Sequence, residues 1–302
     1  MTKKNNLQYF FILGFQKSGT STIYEWLNQV STIKLPINKE THYFSNSNYY
    51  NYGLTWYLKQ FNNISNPTHL GEIDPSYILN EKYLHRIKSF CNKKTKFIFI
   101  LRQPFERAYS HYLMSKFRGY EHLSFKDAIK LESNRLKNDE SKFSFLNHSY
   151  LSRSDYPKYL NSFMNVFPEH DVLFLKMNDF YVTDKKNKMI DSIFSFLNIE
   201  YDSRLINTDI KANYAVNPKS IIFQKLLYKD YFLKNIFKSI LPTKFTSNVK
   251  GILVRLNKQR IIDDKSKDCI KDLLNEEYII WNNNIILETE KITGLSLSDW
   301  KY

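Results

Sequence analysis

Between Gly14 and Ser21 the sequence reads Gly-Phe-Gln-Lys-Ser-Gly-Thr-Ser, a run of glycines, hydroxyls and one cation that suits an anion. Glycines at positions 14 and 19 let a turn bring main-chain N–H groups against a ligand, and a following helix directs its positive end at negative charge. A nucleotide hydrolase places lysine directly after the second glycine, in the pattern G-x-x-x-x-G-K-[ST]. Here that position is Thr20, and the lysine, Lys17, lies inside the loop. The later apolar run Lys96–Leu101 is closed not by an acid that would hold magnesium but by Arg102. The loop reads as a cradle for another phosphate-like group with no metal required, against the plainer reading of a polar turn.

Arg102 is the second chemical signal. A guanidinium at the end of a buried strand can grip a phosphate with two parallel hydrogen bonds, beside the crevice where open α/β sheets bind ligands. Ser110 follows about two helical turns later, where its hydroxyl can reach the same anion. The alternative is an arginine that caps the sheet through Glu106 or Glu72. Taken together, the loop and the arginine describe two anion sites on one sheet edge.

These residues need a scaffold. Leu7–Leu13 is continuously apolar apart from Gln8, the pattern of a strand buried on both faces of a parallel sheet. A tight polar turn and a helical pattern at Thr22–Leu27 follow it. Lys96–Leu101 repeats the arrangement, and Pro104 suits the first turn of a helix from about Phe105 to Lys116. Shorter strands are predicted at Ile33–Leu35, His69–Ile73 and Val172–Leu175. Helices are predicted at Ser76–Phe90, Tyr156–Phe167, Lys185–Leu197 and Lys265–Trp281, and Asn138–Asp155 is the most irregular stretch, read as a lid or loop. The fold class expected is α/β: a three-layer sandwich of P-loop type, with a mostly parallel sheet between helices. With 302 residues, 42% of them hydrophobic, and neither linker nor repeat, the chain reads as a disordered tail over residues 1–6 and a single domain over 7–302.

With those residues in view, the sequence resembles the sulfotransferase family, particularly the glycan branch that includes heparan sulfate sulfotransferases and many bacterial relatives. Gln16-Lys-Ser-Gly-Thr-Ser21 is similar to the family's 5′-phosphosulfate loop, and Phe97–Tyr112 to its 3′-phosphate segment, with Arg102 and Ser110 at the matching positions. Lys39-Glu-Thr-His-Tyr-Phe44, Gly53-Leu-Thr-Trp-Tyr57 and Gly71-Glu-Ile-Asp-Pro-Ser-Tyr77 lie between them in the family's order. Tyr156–Pro168 and Leu295–Trp300 resemble later segments, so the resemblance covers nearly the whole chain. The small-molecule branch carries a late R-K-G-x-x-G-D-W segment. This chain has no such segment, its late glycines being Gly251 and Gly294. The stretch Asn213–Ser220, with Lys219, stands in for that closing loop.

The resemblance implies transfer of a sulfuryl group from 3′-phosphoadenosine 5′-phosphosulfate to a hydroxyl or amine, with a saccharide or glycolipid favoured as acceptor and no metal. It implies that Lys17 neutralises the leaving oxygen, that Gln16 and the Ser18, Gly19, Thr20 and Ser21 amides and hydroxyls hold the phosphosulfate, and that Arg102 and Ser110 grip the 3′-phosphate. An acceptor hydroxyl needs a base, which the heparan sulfate branch puts at Glu40. His42 and Glu72 compete for that role; Glu40 also reads as a salt-bridge partner of Lys39, and His42 as a hydrogen-bonded core residue among aromatics. Trp56, beside Tyr57, reads as a stacking surface for a sugar or as core. Two rivals stand outside the family: a P-loop kinase-like phosphotransferase with a degenerate loop, and a basic nucleic-acid-binding protein, which leaves the order of the two anion motifs unexplained.

Net charge is +14. Ten Lys and Arg against the single Asp230 fall between Lys219 and Arg260, interleaved with apolar residues such as Ile221, Leu226 and Phe232. That pattern reads as amphipathic basic helices facing an anionic glycan or a membrane surface, unless coding bias alone enriches lysine. Nucleic acid is not an expected partner. Cys91 and Cys269 are too few for a disulfide framework or a zinc site. The apolar run at Leu7–Phe15 is about half of the ~20 residues that a span needs, and no signal pattern follows it. The cytoplasm is the expected location, with peripheral contact at the inner membrane surface through residues 219–260.

Overall fold

Aromatic and branched apolar residues at every position of a strand leave no face for water, and the computed structural model buries both faces of the two such runs. The structure describes residues 7–139, 141, 143–210, 216–218, 220, 257–260 and 266–302. Five parallel strands, β1 (Gln8–Ile12), β2 (Ile33–Lys34), β3 (His69–Ile73), β4 (Lys96–Leu101) and β5 (Val172–Lys176), form a sheet in the order β2-β3-β1-β4-β5. Alternate side chains enter different cores. Phe11, Leu13, Phe97 and Phe99 pack with Tyr57, Leu84, Phe163 and Ile286, whereas Phe10, Ile12, Ile98 and Ile100 pack with Ile23, Trp26, Ile193 and Leu197. Each such side chain contributes roughly 1.5–3 kcal/mol on burial, enough to fix the register of the sheet.

These strands belong to one of two units into which the chain divides, comprising Met1–Pro104, Arg153–Asn213 and Ile279–Tyr302. Helices α1 (Thr20–Leu27) and α9 (Thr183–Leu197) cover one face of the sheet. Helices α3 (Gly53–Leu58), α4 (Glu81–Phe90), α8 (Tyr156–Val166) and most of α11 (Glu276–Thr293) cover the other, and α2 (Ser47–Asn51) precedes α3. This is the expected three-layer α/β arrangement. The helix predicted at Ser76–Phe90 is a short 3-10 helix at Tyr77–Leu79 and then α4, because the Asn80 side chain accepts from Lys82 N at 2.9 Å and starts a new helix. Trp300 is buried, and its carbonyl accepts from Gln103 Nε2 and Asn282 Nδ2, both at 3.2 Å.

The second unit takes Phe105–Ser152 and Tyr214–Tyr278. It holds most of α5 (Pro104–Phe117), then α6 (Phe125–Asn138), α7 (Phe143–Asn147), α10 (Ser266–Leu273) and a short antiparallel pair, Val216–Pro218 with Lys258–Arg260. The helix predicted at Lys265–Trp281 is two: α10 ends at Leu273, and Asn275 Oδ1 accepts from Tyr278 N at 2.9 Å to open α11. Its polar centre is Glu121, 1% exposed at the side chain, which accepts from Arg135, from Tyr150 Oη at 2.8 Å and from the amides of His122 and Leu123 at 2.9 and 3.0 Å. Burial alone would raise its pKa, but the Arg135 bond and the other donors bring it down to about 2.

Lys219, the 1–6 tail, half of the 213–220 loop and nearly all of the basic 219–260 stretch lie outside the described residues. Among the described residues no helix is long and apolar enough to cross a membrane.

Candidate active site

The strand order reverses about β1, whose neighbours β3 and β4 leave the sheet on either side of it, and such switch points open a crevice at the carboxyl ends of the strands. The loop after β1 enters that crevice. Gly14 passes so close to β4 that a Cβ there would lie 2.3 Å from Ile100 N, so no larger residue fits. Lys17 has a left-handed backbone at φ 75° and Gly19 at φ 90°, and Gly19 opens α1 with no side-chain cap. A Cβ on Gly19 would also strike the Phe180 ring at 2.1 Å. The first turn of α1 has no acidic residue, and a helix start of this kind suits an anion. Ser18 is fully buried, and its hydroxyl has no hydrogen-bond partner among the described residues. A buried orphan hydroxyl beside a helix start fits an anion that supplies the missing acceptor.

Arg102 follows β4 directly. Its Nη1 donates to Lys17 O at 3.4 Å, and its own carbonyl accepts from Tyr156 Oη at 2.5 Å. The arginine and the loop are thus in contact, as two anion subsites of one ligand require. Gln16 has a partner that sequence reasoning missed: buried Arg153 donates from Nη1 to Gln16 Oε1 at 2.9 Å. Arg153 lies in the stretch read as an irregular lid, 137 residues along the chain from Gln16. Ser110 stands on α5 in the second unit, half-buried.

The segment 39–44 is held from β3. Glu72 on β3 and Asp74, one residue past its end, are both fully buried and bond residues 41 and 42. Glu72 accepts from Thr41 N at 3.1 Å, from the Thr41 hydroxyl, from Tyr77 Oη at 2.9 Å and from Tyr57 Oη at 2.7 Å. Burial, then the charge of Asp74, push its pKa up to about 7 against the pull of those donors. Asp74 Oδ2 accepts from His42 N at 3.0 Å and lies 2.8 Å from His42 Nδ1, while its Oδ1 takes Ser76 N at 2.9 Å and Ser76 Oγ at 2.5 Å. Glu40 and His42 both sit at positive φ, 67° and 54°, a conformation that side chains adopt only when their surroundings impose it.

The result is a turn that projects two groups outward. Glu40 is 31% and His42 47% exposed at the side chain, with His42 Nε2 at 3.9 Å from Glu40 Oε2. Glu40 also pairs with Lys39, so the salt-bridge reading of this residue and its exposure hold together. His42 is not the enclosed core residue that its aromatic neighbours suggested. Glu72 is the enclosed one, with donors on both oxygens.

Trp56 lies between. Its ring stacks at 6.2 Å on Tyr43, next to His42, and on its other side meets Tyr49 at 5.1 Å and Tyr52 at 5.5 Å. Tyr49 and Tyr52 are exposed. The cluster is core at one end and an open aromatic surface at the other.

Known proteins resemble this chain in sequence and in fold. A family model described as a sulfotransferase domain matches residues 7–254. A membrane-associated sulfotransferase of Dictyostelium discoideum is 35% identical over 112 residues, covering 36% of this chain and 23% of that protein. A human heparan sulfate glucosamine 3-O-sulfotransferase 5 is 33% identical over 102 residues, covering 33% of this chain and 29% of that protein. The matched stretches span less than a third of the length of these two relatives. A sulfotransferase structure from Alicyclobacillus acidocaldarius superposes with a TM-score of 0.61 over 97% of this chain and 98% of that one, at 18% identity, a likeness of fold.

Proposed function

The chain belongs to the sulfotransferase family, and from that premise we propose that it transfers a sulfuryl group from 3′-phosphoadenosine 5′-phosphosulfate to a hydroxyl or amine of a saccharide or glycolipid. The observation that carries the reading is the 40–42 turn, where the buried carboxylates of Glu72 and Asp74 hold Thr41 and His42, next to a half-exposed Glu40 in a left-handed backbone. When bound, the donor supplies a sulfuryl group on a phosphate oxygen that leaves as an anion. Glu40 takes the proton of the attacking acceptor, and Lys17 neutralises the charge that develops on the leaving oxygen. The Ser18–Ser21 amides and hydroxyls, with Gln16, orient the phosphosulfate, and Arg102 holds the 3′-phosphate. The assignment of Ser110 to that phosphate rests on its family segment alone, as does that of Lys219 to the donor. Positioning and electrostatics do most of the catalytic work in such transfers.

A saccharide acceptor is supported by the aromatic surface of Trp56, Tyr49 and Tyr52, since flat rings suit the apolar face of a sugar. The heparan sulfate enzymes named among the relatives point the same way. Peripheral membrane contact through the basic stretch accords with a membrane-associated relative, and is proposed with the cytoplasm as location.

Calorimetry with adenosine 3′,5′-bisphosphate, and in parallel with ADP and magnesium, tests the donor. The bisphosphate is expected to bind without metal, and Arg102→Ala to weaken it by about 10- to 100-fold, the worth of a charged hydrogen-bond pair. Preference for ADP with magnesium would replace this reading with a phosphotransferase.

A further inference from the structure

A histidine beside a glutamate is chemically ambiguous, because either can accept a proton. Which one does so depends on what occupies the far side of the ring. In this chain that side is Asp74, fully buried, 2.8 Å from His42 Nδ1 and within 3.0 Å of His42 N. We infer that Asp74 is a positioning residue for the transfer: by binding the backbone and ring of His42 together, it makes the ring a hydrogen-bond donor beside Glu40 and leaves Glu40 as the base. The inference rests on the reading of Glu40 given above.

The geometry fixes the proton at Nδ1. All of the hydrogen bonds at Asp74 come from donors: Ser76 N and Oγ on one oxygen, His42 N and ring on the other. The same bonds keep its pKa below the ordinary carboxylate value despite burial, so the group facing Nδ1 is an anion. At the other end of the ring, Nε2 faces a second carboxylate, Glu40 Oε2, at 3.9 Å. The charged groups acting on the ring are therefore Asp74 just past β3, Glu40 from the ring's own segment and Glu72 on β3, all acidic. Burial favours the neutral ring, but the Asp74 bond and these three charges outweigh it and raise the His42 pKa to about 8. A ring protonated on both nitrogens has no lone pair with which to accept the acceptor's proton. It offers instead an N–H and a positive charge on the face that Glu40 shares, where they can steady sulfonate oxygens during transfer.

The aspartate has a second duty. Its bond to His42 N holds the left-handed φ of 54° at that residue, as Glu72 holds Thr41. Glu72 near the end of β3 and Asp74 just past it thus serve adjacent residues of the turn.

Asp74→Asn tests the idea, since the amide keeps an oxygen for His42 N and removes the charge. The first readout is the His42 ring titration by 1H–15N NMR, in chelator-containing buffer so that stray cations do not titrate with the ring. Wild type is expected near 8 and the variant near the ordinary 6.5. The second is transfer rate against pH. A group with a raised pKa is charged below it, so wild-type rate should fall as pH rises through about 8, and the variant's fall should move down with the ring. His42→Gln, which keeps a donor and cannot titrate, should lose the alkaline limb altogether, and serves if Asp74→Asn does not fold. A ring that titrates at its ordinary pKa in wild type, a titration unmoved by Asp74→Asn, or a rate that rises with ring deprotonation would overturn the inference. Glu40→Gln separates the two readings: full activity there removes Glu40 as base, whereas the NMR titration reports on Asp74 either way.

Discussion

Replacing Glu72 by glutamine should leave catalysis nearly intact while changing how stability depends on pH. Glu72 is one of three acidic or basic groups that compete to be the base, and its environment argues against it. Both of its oxygens are taken by buried donors, Thr41 and Tyr77 on one and Tyr57 on the other. Glutamine keeps one carbonyl oxygen for Thr41 and Tyr77 and turns its amide to Tyr57, whose hydroxyl can accept as readily as it donates. The pKa of the native carboxyl is raised from 4.5 to about 7, so the folded state keeps a proton that the unfolded chain gives up. A folded state that binds more protons loses stability as pH rises, here between about 4.5 and 7. At about 1.4 kcal/mol for each tenfold step in proton affinity, that loss amounts to roughly 3 kcal/mol, and the glutamine variant does not suffer it. Urea unfolding at pH 5 and pH 9, followed by circular dichroism, should show the variant gaining on wild type by roughly that amount at the higher pH. Initial rates at pH 7 should stay within about threefold of wild type. Glu40→Gln, by contrast, should lose about 10²- to 10⁴-fold, the usual worth of a positioned base. A folded Glu72→Gln protein that loses rate as far as Glu40→Gln would refute this account and make Glu72 the base.

Two further outcomes follow from buried polar groups. Ser18→Ala removes a hydroxyl that has no partner among the described residues, so its melting temperature should hold or rise. Its dissociation constant for adenosine 3′,5′-bisphosphate should weaken about 5- to 10-fold, one net hydrogen bond; an unchanged constant would mean that the hydroxyl does not meet the donor. Glu121→Gln in the second unit should destabilise by about 3 kcal/mol at pH 7, since a carboxyl lowered to about 2 adds stability above the ordinary value that is lost as pH falls toward 2. Acid unfolding of the variant should be correspondingly flatter, and an unchanged acid limb would show that the Arg135 pair adds nothing.

The parts legible in the sequence are those in which local pattern and global fold agree. β1 and β4 were readable because a strand buried on both faces has no polar alternation to confuse it, and the loop was readable because Lys17 departs from the hydrolase register. The break at Asn80 had a signal too, an asparagine just before Glu81, overridden by the apolar periodicity on either side. What could not be read is contact between distant residues. Asp74 was visible inside Gly71–Tyr77, yet nothing local says that it reaches back 32 residues to His42. Arg153 meets Gln16 across a still longer separation. The left-handed backbone at Glu40 and His42 leaves no trace either, because the usual marker is glycine and neither residue is one. Aromatic neighbours made His42 look like core, and only the bond from β3 turns it outward.

The first unit is assembled from three separated stretches of chain, and the last of them begins at Ile279. Buried Trp300, whose carbonyl takes the Gln103 side chain, leaves the ribosome 197 residues after Gln103. At about 5–20 residues per second, the loop that follows β1 is exposed for roughly 15 to 60 s before its unit can close. The sheet neighbours β3 and β5 of β1 and β4 are complete by Lys176; until then the strongly apolar β1 and β4 are strands with a high tendency to pair with other chains. A chain stopped before Ile279 lacks the last stretch of the first unit, and chaperone protection of β1 and β4 is expected to keep such a chain from aggregating.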